Sequence, residues 1–116
     1  MTQIDDPTRV RYMLDAARHV HELIEGRIRQ DLDTDYVLGL ALVRLLEILG
    51  EATRGVSPDL RARYPDVPWR QIFGLRNRVI HAYFNVDFDI VWRVGTKELE
   101  PLVARLESAT RAEGWA

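Results

Sequence analysis

The sequence has 116 residues, of which 47% are hydrophobic and 29% charged, and these values predict one globular domain over residues 1–116. It contains no cysteine, which excludes disulfides, thiolate metal sites and cysteine nucleophiles and suits a reducing cytoplasm. Its net charge of −2 argues against a protein that coats nucleic acid by bulk electrostatics, because that mode of binding needs many cations to neutralise phosphates.

The first half of the chain predicts two long helices. One spans about 7–27, with Asp6 as its cap and Pro7 in its first turn. Its apolar stripe comprises Val10, Met13, Leu14, Ala17, Val20, Leu23 and Ile24. The other spans about 35–54 and is apolar nearly all the way round over residues 37–49. We therefore expect the second helix to be central in the fold or shared with another chain.

The second half predicts a short helical turn over about 58–64, a third main helix over about 68–82 and a last helix over about 87–112. Pro101 should kink the last helix, because it removes the hydrogen bond to Lys97. The inward face of this helix comprises Ile90, Val91, Val94, Leu99, Leu102, Val103 and Leu106. Together the elements predict an all-α protein, an up-and-down four-helix bundle with a short extra helix.

The distribution of apolar residues indicates neither a membrane-spanning segment nor an export signal. The longest apolar run, residues 37–49, contains Arg44 and Glu47 and is too short to span a bilayer. The N-terminal stretch has no apolar core after a basic region. We expect a protein that is neither secreted nor embedded in a membrane, and therefore cytoplasmic.

Residues 76–84, RNRVIHAYF, contain polar side chains of the kinds that can take part in catalysis, within an otherwise apolar segment. These are Arg76, Asn77, His81 and Tyr83. On a regular helix at 100° per residue, Arg76 and His81 lie about 140° apart. They meet at one reacting group only if the helix loosens near its end or a second chain completes the site. A symmetric homodimer is therefore part of the functional hypothesis.

Each of these residues also has a structural interpretation. Arg76 could pair with Glu47 or Glu51 across a helix interface, because a buried charge must find a partner. His81 could be an exposed histidine without a catalytic role. Tyr83 could be a core aromatic residue with its hydroxyl at the rim.

The sequence offers few other kinds of chemistry. It has three histidines and no H-x-x-x-H pair, so we predict no metal site, and it has no Walker loop, dinucleotide fingerprint or G-x-S-x-G. An arginine and a histidine can cleave RNA without metal. The reaction needs a base for the ribose 2′-hydroxyl, an acid for the leaving 5′-oxygen and a cation for the phosphorane charge. One histidine cannot easily serve both proton roles, but two across a dimer could.

The charge distribution is compatible with RNA. Residues 57–86 carry five arginines against two aspartates, a local charge of +3 in an otherwise acidic chain. Arg70 lies on the same predicted helical face as Asn77 and His81, and we expect Arg70 and Arg78 to contact RNA phosphates. A small arginine cluster can also be only a solvated face.

The segment from Leu45 to Trp92, LLEILGEATRGVSPDLRARYPDVPWRQIFGLRNRVIHAYFNVDFDIVW, resembles the HepT-like toxins of the HEPN superfamily of helical ribonucleases. The resemblance rests on an ordered set of features. They are a G-E-A helix end, a Tyr-Pro followed by Pro-Trp, an R-x4-H-x-Y motif, and an Asp before V-W. The bare R-x4-H would be a weak signal, but the ordered set is a strong one.

The resemblance implies a HEPN-like homodimer whose two motifs line a shared cleft and cleave RNA, such as tRNA or mRNA, without metal or another cofactor. It makes Arg76 and His81 the catalytic residues, with Asn77 positioning them. It also implies the toxin of a type VII-like toxin–antitoxin pair. The antitoxin would be an MNT-type nucleotidyltransferase that silences the toxin by AMPylation of Tyr83.

An alternative function is a non-catalytic helical module that binds a minimal nucleotidyltransferase as its substrate-recognition subunit. The apolar second helix favours it, because a large interface needs such a surface. A small structural bundle without any chemistry is a third interpretation.

Overall fold

Two long helices, α1 (Asp6–Ile24) and α3 (Tyr36–Arg54), pack against each other at the centre of the computed structural model, which describes residues 4–116 without the side chain of Phe84. Within these residues the other elements are α2 (Asp31–Thr34), α4 (Pro58–Arg63), α5 (Trp69–Phe73), α6 (Leu75–Val79), a 3₁₀ turn (Ala82–Phe84), α7 (Phe88–Arg93), a π turn (Val94–Glu98) and α8 (Leu99–Glu113). The predicted all-α class is confirmed. The bundle positions are filled by α1, α3, the α5–α6 pair and the α7–α8 segment.

The first helix begins one residue earlier than its predicted cap suggests. Asp5 is the cap, because its carboxylate accepts a hydrogen bond from the backbone N–H of Thr8 at 3.0 Å. Hydrogen bonding to the side chain and then to the backbone of Thr8 lowers the pKa of Asp5. Asp6 instead accepts hydrogen bonds from the backbone N–H and hydroxyl of Ser57, at 2.9 and 2.6 Å. Ser57 in turn caps α4, so Asp6 ties the start of α1 to the start of α4.

The core lies between α1, α3 and the C-terminal segment. Every residue of the predicted α1 stripe is buried except Leu23, which is half-buried. Leu42, Leu46 and Leu49 of α3 are fully enclosed, as is Leu106 of α8. The helical periodicity therefore predicted the packing face of α1 correctly.

The N-terminal end of α3 is exposed in a single chain. Tyr36, Val37 and Leu40 are 78%, 74% and 52% exposed, although the sequence predicted burial on more than one side of this helix. Within one protomer that prediction fails for the first turns of α3. The same residues form an apolar surface that a second chain could cover.

The predicted third helix over about 68–82 is wrong in two places. It is divided at Gly74 into α5 and α6, and it ends at Val79 rather than near residue 82. Ile80 has an extended backbone and forms an isolated antiparallel bridge with Val86. The backbone from Ile80 onward therefore pairs across a loop instead of continuing the helical hydrogen bonds.

The last helix is continuous but irregular in its middle. The N–H of Leu99 donates to the carbonyl of Val94, which makes the π turn between α7 and α8. Pro101 follows directly in the first turn of α8 and has no N–H to donate to Lys97. The predicted disturbance near Pro101 thus takes the form of a π turn on its N-terminal side.

Among residues 4–116, none of the helices combines the length and the apolar character that a bilayer crossing requires.

Candidate functional site

The segment that follows α6 is a closed loop, which we call the motif loop (residues 80–86). The N–H of His81 donates to the carbonyl of Asn85 at 2.8 Å, and the N–H of Asp87 donates to the carbonyl of Val79 at 2.8 Å. These bonds satisfy the backbone at both ends of the loop. The predicted site residues are therefore divided between the end of α6 and a tight loop, and the helical-wheel angle between them does not apply.

Arg76 and Asn77 lie together on the exposed side of α6. They border a hollow of about 420 Å³ between α6 and α3, which we call the Arg76 concavity. Its lining includes Arg44, Glu47, Arg54, Phe73, Arg76 and Asn77. The structure thus brings two predicted site residues to one surface.

Arg76 is only loosely paired with acid. Its Nε lies 3.7 Å from Oε2 of Glu47, beyond hydrogen-bond distance, and its side chain is 54% exposed. The pairing with Glu47 that was the structural interpretation of Arg76 exists in this weak form. An exposed pair at this distance contributes little to stability, about 0–1 kcal/mol, and leaves the guanidinium accessible.

His81 lies at a different hollow, of about 340 Å³, which we call the His81 concavity. Its Nε2 is 3.8 Å from Oδ2 of Asp87. The other carboxylate oxygen of Asp87 accepts the N–H of Ile90 at 3.1 Å and caps α7. Arg29 binds Asp33 and Asp89 at the same hollow, at 3.1 and 2.8 Å, and these bonds raise the pKa of Arg29 against the opposing effect of burial.

The position of Asp87 beside His81 was not predicted from the sequence. The prediction that the last helix begins near Asp87 is confirmed. The short distance in sequence between His81 and Asp87 was a possible signal. Because the loop closes between Ile80 and Val86, the next residue, Asp87, returns to the side of the loop where His81 lies.

Tyr83 stands at the apex of the motif loop. Its backbone is in the left-handed region, with φ 59° and ψ 33°, and its side chain is fully exposed. For a residue other than glycine this conformation costs about 1–2 kcal/mol. The interpretation of Tyr83 as a core aromatic residue is wrong, because its phenol points into solvent.

The two predicted phosphate-binding arginines differ in their surroundings. Arg70 of α5 is exposed and has no ion pair within the described part of the chain. Arg78 forms a bidentate pair with Glu98, with both distances 3.0 Å, and these hydrogen bonds raise the pKa of Arg78. Much of the charge of Arg78 is thus compensated within the protein.

One protomer does not unite the predicted catalytic residues in a single hollow. Arg76 and Asn77 border the Arg76 concavity, whereas His81 borders the His81 concavity. Over residues 4–116, no group of three or more histidine or acidic side chains is arranged to hold a metal ion. The arrangement offers an accessible guanidinium, an imidazole beside a carboxylate, and an exposed phenol within eight positions of the chain.

A family model described as "Ribonuclease HepT-like" matches residues 13–109. The chain is also 33% identical over 100 residues to "Probable ribonuclease HepT" of Thermococcus cleftensis, covering 83% of this chain and 90% of the relative.

Two further relatives have similar coverage. The chain is 32% identical over 95 residues to "Putative RNase MJ1380" of Methanocaldococcus jannaschii, covering 82% of this chain and 87% of the relative. It is 33% identical over 102 residues to "Putative RNase TTE0752" of Caldanaerobacter subterraneus subsp. tengcongensis, covering 88% and 91%. No solved structure matches the chain significantly.

Proposed function

The chain belongs to the HepT-like ribonuclease family, and we propose that it is a metal-independent endoribonuclease that acts in the cytoplasm as the toxin of a type VII-like toxin–antitoxin pair. In this proposal Arg76 and His81 are the catalytic residues, and Asn77 positions them. The partner is an MNT-type nucleotidyltransferase that neutralises the toxin by AMPylation of Tyr83. The substrate is an RNA such as tRNA or mRNA.

The observation that carries this proposal is the exposure of the whole motif. Arg76, Asn77, His81 and Tyr83 all present their side chains at the surface, although they follow or interrupt a strongly apolar helix. A structural role would have placed at least the arginine or the tyrosine in a buried, paired position. Exposure on neighbouring elements is what a substrate phosphate and a modifying enzyme both require.

The chemistry follows from the protonation properties of these groups. A neutral His81 removes the proton from a ribose 2′-hydroxyl, and the resulting oxygen attacks the adjacent phosphorus. The guanidinium of Arg76 stabilises the negative charge that develops on the phosphate oxygens. A protonated histidine donates to the 5′-oxygen as the phosphorus–oxygen bond breaks. Each catalytic group thus has one defined role.

A second copy of the chain completes this machinery. Arg76 and His81 border separate hollows in one protomer, and one histidine cannot be base and acid in the same step. In a twofold dimer, His81 of the partner subunit supplies the second proton-transfer group, and the two guanidinium groups flank one phosphate. We therefore propose that the active species is the homodimer.

Regulation at Tyr83 is supported by its position at the loop apex. The phenolic oxygen would attack the α-phosphorus of ATP in the partner enzyme, pyrophosphate would leave, and the phenolic proton would pass to a base of that enzyme. The product carries a new negative charge two residues from His81, where it repels RNA and competes for the arginine. The exposed phenol needs no unfolding to reach a partner's active site.

The proposal is tested by RNA cleavage in EDTA with the purified chain. We expect cleavage by the wild-type protein and its loss in His81→Ala, with the fold retained in circular dichroism. His21→Ala is the matched control, because His21 is an exposed histidine on α1 away from the motif loop. Cleavage that EDTA stops, or that survives in His81→Ala, would contradict the proposal.

A non-catalytic interaction module is the second candidate, and the exposed N-terminal end of α3 favours it. An apolar surface of this kind suits a partner protein as well as a second copy. Expression of the chain alone separates the two functions. Growth arrest that His81→Ala relieves supports the ribonuclease, and harmless expression supports the module.

A further inference from the structure

Phe73 is an exposed aromatic residue at the end of α5, and it is surrounded by arginines. Its side chain is about half exposed, and the guanidinium carbon of Arg54 lies 5.8 Å from the centroid of its ring. Phe73 borders the Arg76 concavity on one side. On the other side it borders a larger hollow of about 810 Å³, which we call the Arg70 groove, whose lining includes Arg61, Pro68, Trp69, Arg70 and Phe73.

The charges at these two hollows favour a polyanion. The Arg70 groove contains Arg61 and Arg70 and no acidic residue among its described lining. The Arg76 concavity adds Arg44, Arg54 and Arg76, against two glutamates. The aromatic ring therefore separates two surfaces that each carry excess positive charge, and one of them holds the proposed catalytic arginine.

We propose that Phe73 is a stacking platform for an unpaired base of RNA, and that the arginines of the two hollows contact the phosphates on either side of that base. A chain that crosses Phe73 from the Arg70 groove places its next phosphate in the Arg76 concavity. The inference rests on the proposed function for the class of substrate. It concerns RNA binding and does not require cleavage.

The surroundings of Phe73 distinguish this surface from a self-association patch. The backbone carbonyl of Phe73 packs near Gly50, whereas the exposed apolar end of α3 reaches only to Leu40, ten residues earlier and about 15 Å away along the helix. Arg44 and Glu47 lie between these two positions on α3. A second copy placed on the Arg70 groove would bring like charges together, which opposes association.

The platform also selects single strands over duplexes. A paired base is already stacked between its neighbours, so its faces are not free to meet the ring. An unpaired base stacks on an exposed aromatic residue whatever its sequence, because every base has a π-face. The Arg54 guanidinium lies over one face of the ring, so the base stacks on the opposite face and the positive charge lies across the ring from it.

The test measures binding of a fluorescein-labelled single-stranded RNA by anisotropy, with His81→Ala as the common background so that the RNA stays intact. We expect Phe73→Ala to weaken binding about tenfold, in line with the contribution of one base–aromatic stack, and Phe73→Trp to retain it. A duplex of the same sequence should bind weakly and lose little in Phe73→Ala. Phe73→Leu keeps an apolar side chain without a ring and should behave like Phe73→Ala.

Matched controls exist on α1 and α8. Tyr12 is another exposed aromatic residue with an arginine guanidinium near its ring, that of Arg11 at 5.9 Å, but it does not border either hollow. Tyr12→Ala should bind RNA as the background protein does. Arg70→Ala should lower the slope of log affinity against log salt by about one, whereas Arg105→Ala, which removes an exposed arginine of α8, should leave it unchanged.

The outcomes separate this inference from the proposed function. If Phe73→Ala and Phe73→Leu bind single-stranded RNA with background affinity, or change only the oligomeric state, the platform is wrong even where the wild-type protein cleaves RNA. If Phe73 and Arg70 are needed for binding but the wild-type protein does not cleave RNA, the platform stands and the ribonuclease proposal fails.

Discussion

At the residue scale, the carboxylate of Asp87 is the group best placed to orient His81. One of its oxygens caps α7 while the other faces the imidazole at 3.8 Å. The remaining acids of the His81 concavity, Asp33 and Asp89, are bound by Arg29. A single side chain therefore connects the start of a helix to the orientation of the proposed catalytic base.

We predict that Asp87→Asn lowers kcat for RNA cleavage by about tenfold while the fold remains stable, because the amide can still cap α7 but no longer carries a charge beside His81. Asp87→Ala should also lose about 0.5–2 kcal/mol of stability through the missing cap. The measurement is single-turnover cleavage together with urea unfolding. Asp89→Asn is the control, and an equal loss of kcat in that variant would remove the special role of Asp87.

A second prediction at this scale concerns the modification of Tyr83. When the chain is co-expressed with its nucleotidyltransferase partner, the peptide that contains Tyr83 should gain mass in multiples of one AMP. Tyr83→Phe should abolish the gain, since it removes only the phenolic oxygen. Tyr12→Phe, at another exposed tyrosine, should keep it. An unmodified Tyr83 peptide, or modification at another residue, would contradict the proposed regulation.

At the element scale, local periodicity predicted the long helices but not the short ones around the site. The predicted buried stripe of the third helix comprises Ile72, Leu75, Val79 and Ile80, and all are buried except Ile80, which is half-buried. The helical period of the apolar residues cannot show that Ile80 pairs with Val86, because a bridge across a loop depends on residues later in the chain. The exposure of Asn77 was predictable from the helix. Arg76 falls on the apolar side of the regular helix that the sequence predicts, and yet its side chain is exposed. The positions of His81 and Tyr83 depend on that loop.

The contact between α4 and α8 gives a prediction about pH. Glu113 of α8 accepts hydrogen bonds from Arg63 at 2.8 and 3.2 Å and from the hydroxyl of Tyr64. These bonds lower the pKa of Glu113 and raise the pKa of Tyr64.

The contribution of Glu113 to stability is therefore present above its ordinary pKa, about 4.3, and is lost as the pH falls through its lowered value in the folded state. The contribution of Tyr64 to stability has the opposite dependence on pH. It is present below the ordinary pKa of tyrosine and is lost as the pH rises through the raised pKa of Tyr64 in the folded state. We predict that Glu113→Gln is less stable than the wild type at pH 7 and that the difference shrinks toward about pH 3. Thermal unfolding across this range measures it, and a difference that stays constant with pH would contradict the assignment.

At the scale of the whole molecule, the exposed end of α3 is the surface at which we place the interface of the proposed homodimer. Tyr36, Val37 and Leu40 continue the apolar character that the sequence predicted for this helix, yet no part of the described chain covers them. The apolar residues on all sides of α3 predicted that more than one side of the helix is covered. They could not show whether the same chain or another chain covers each side.

We predict that Leu40→Glu converts a dimer to a monomer in light scattering after size exclusion, because a charge in an apolar interface is costly to bury. Ile4→Glu is the control, since Ile4 is an exposed apolar residue outside α3. Cleavage should fall together with dimerisation. A Leu40→Glu protein that remains dimeric would place the interface elsewhere on the molecule.

The most direct test of the central claim is RNA cleavage in EDTA by dimers mixed from wild-type and His81→Ala chains that have been refolded together. If the two histidines act on one phosphate, only dimers with both are active, and an equal mixture retains about one quarter of the wild-type rate. A rate that instead falls in simple proportion, to about one half in the equal mixture, would mean that each protomer acts alone and would contradict a site shared between two chains.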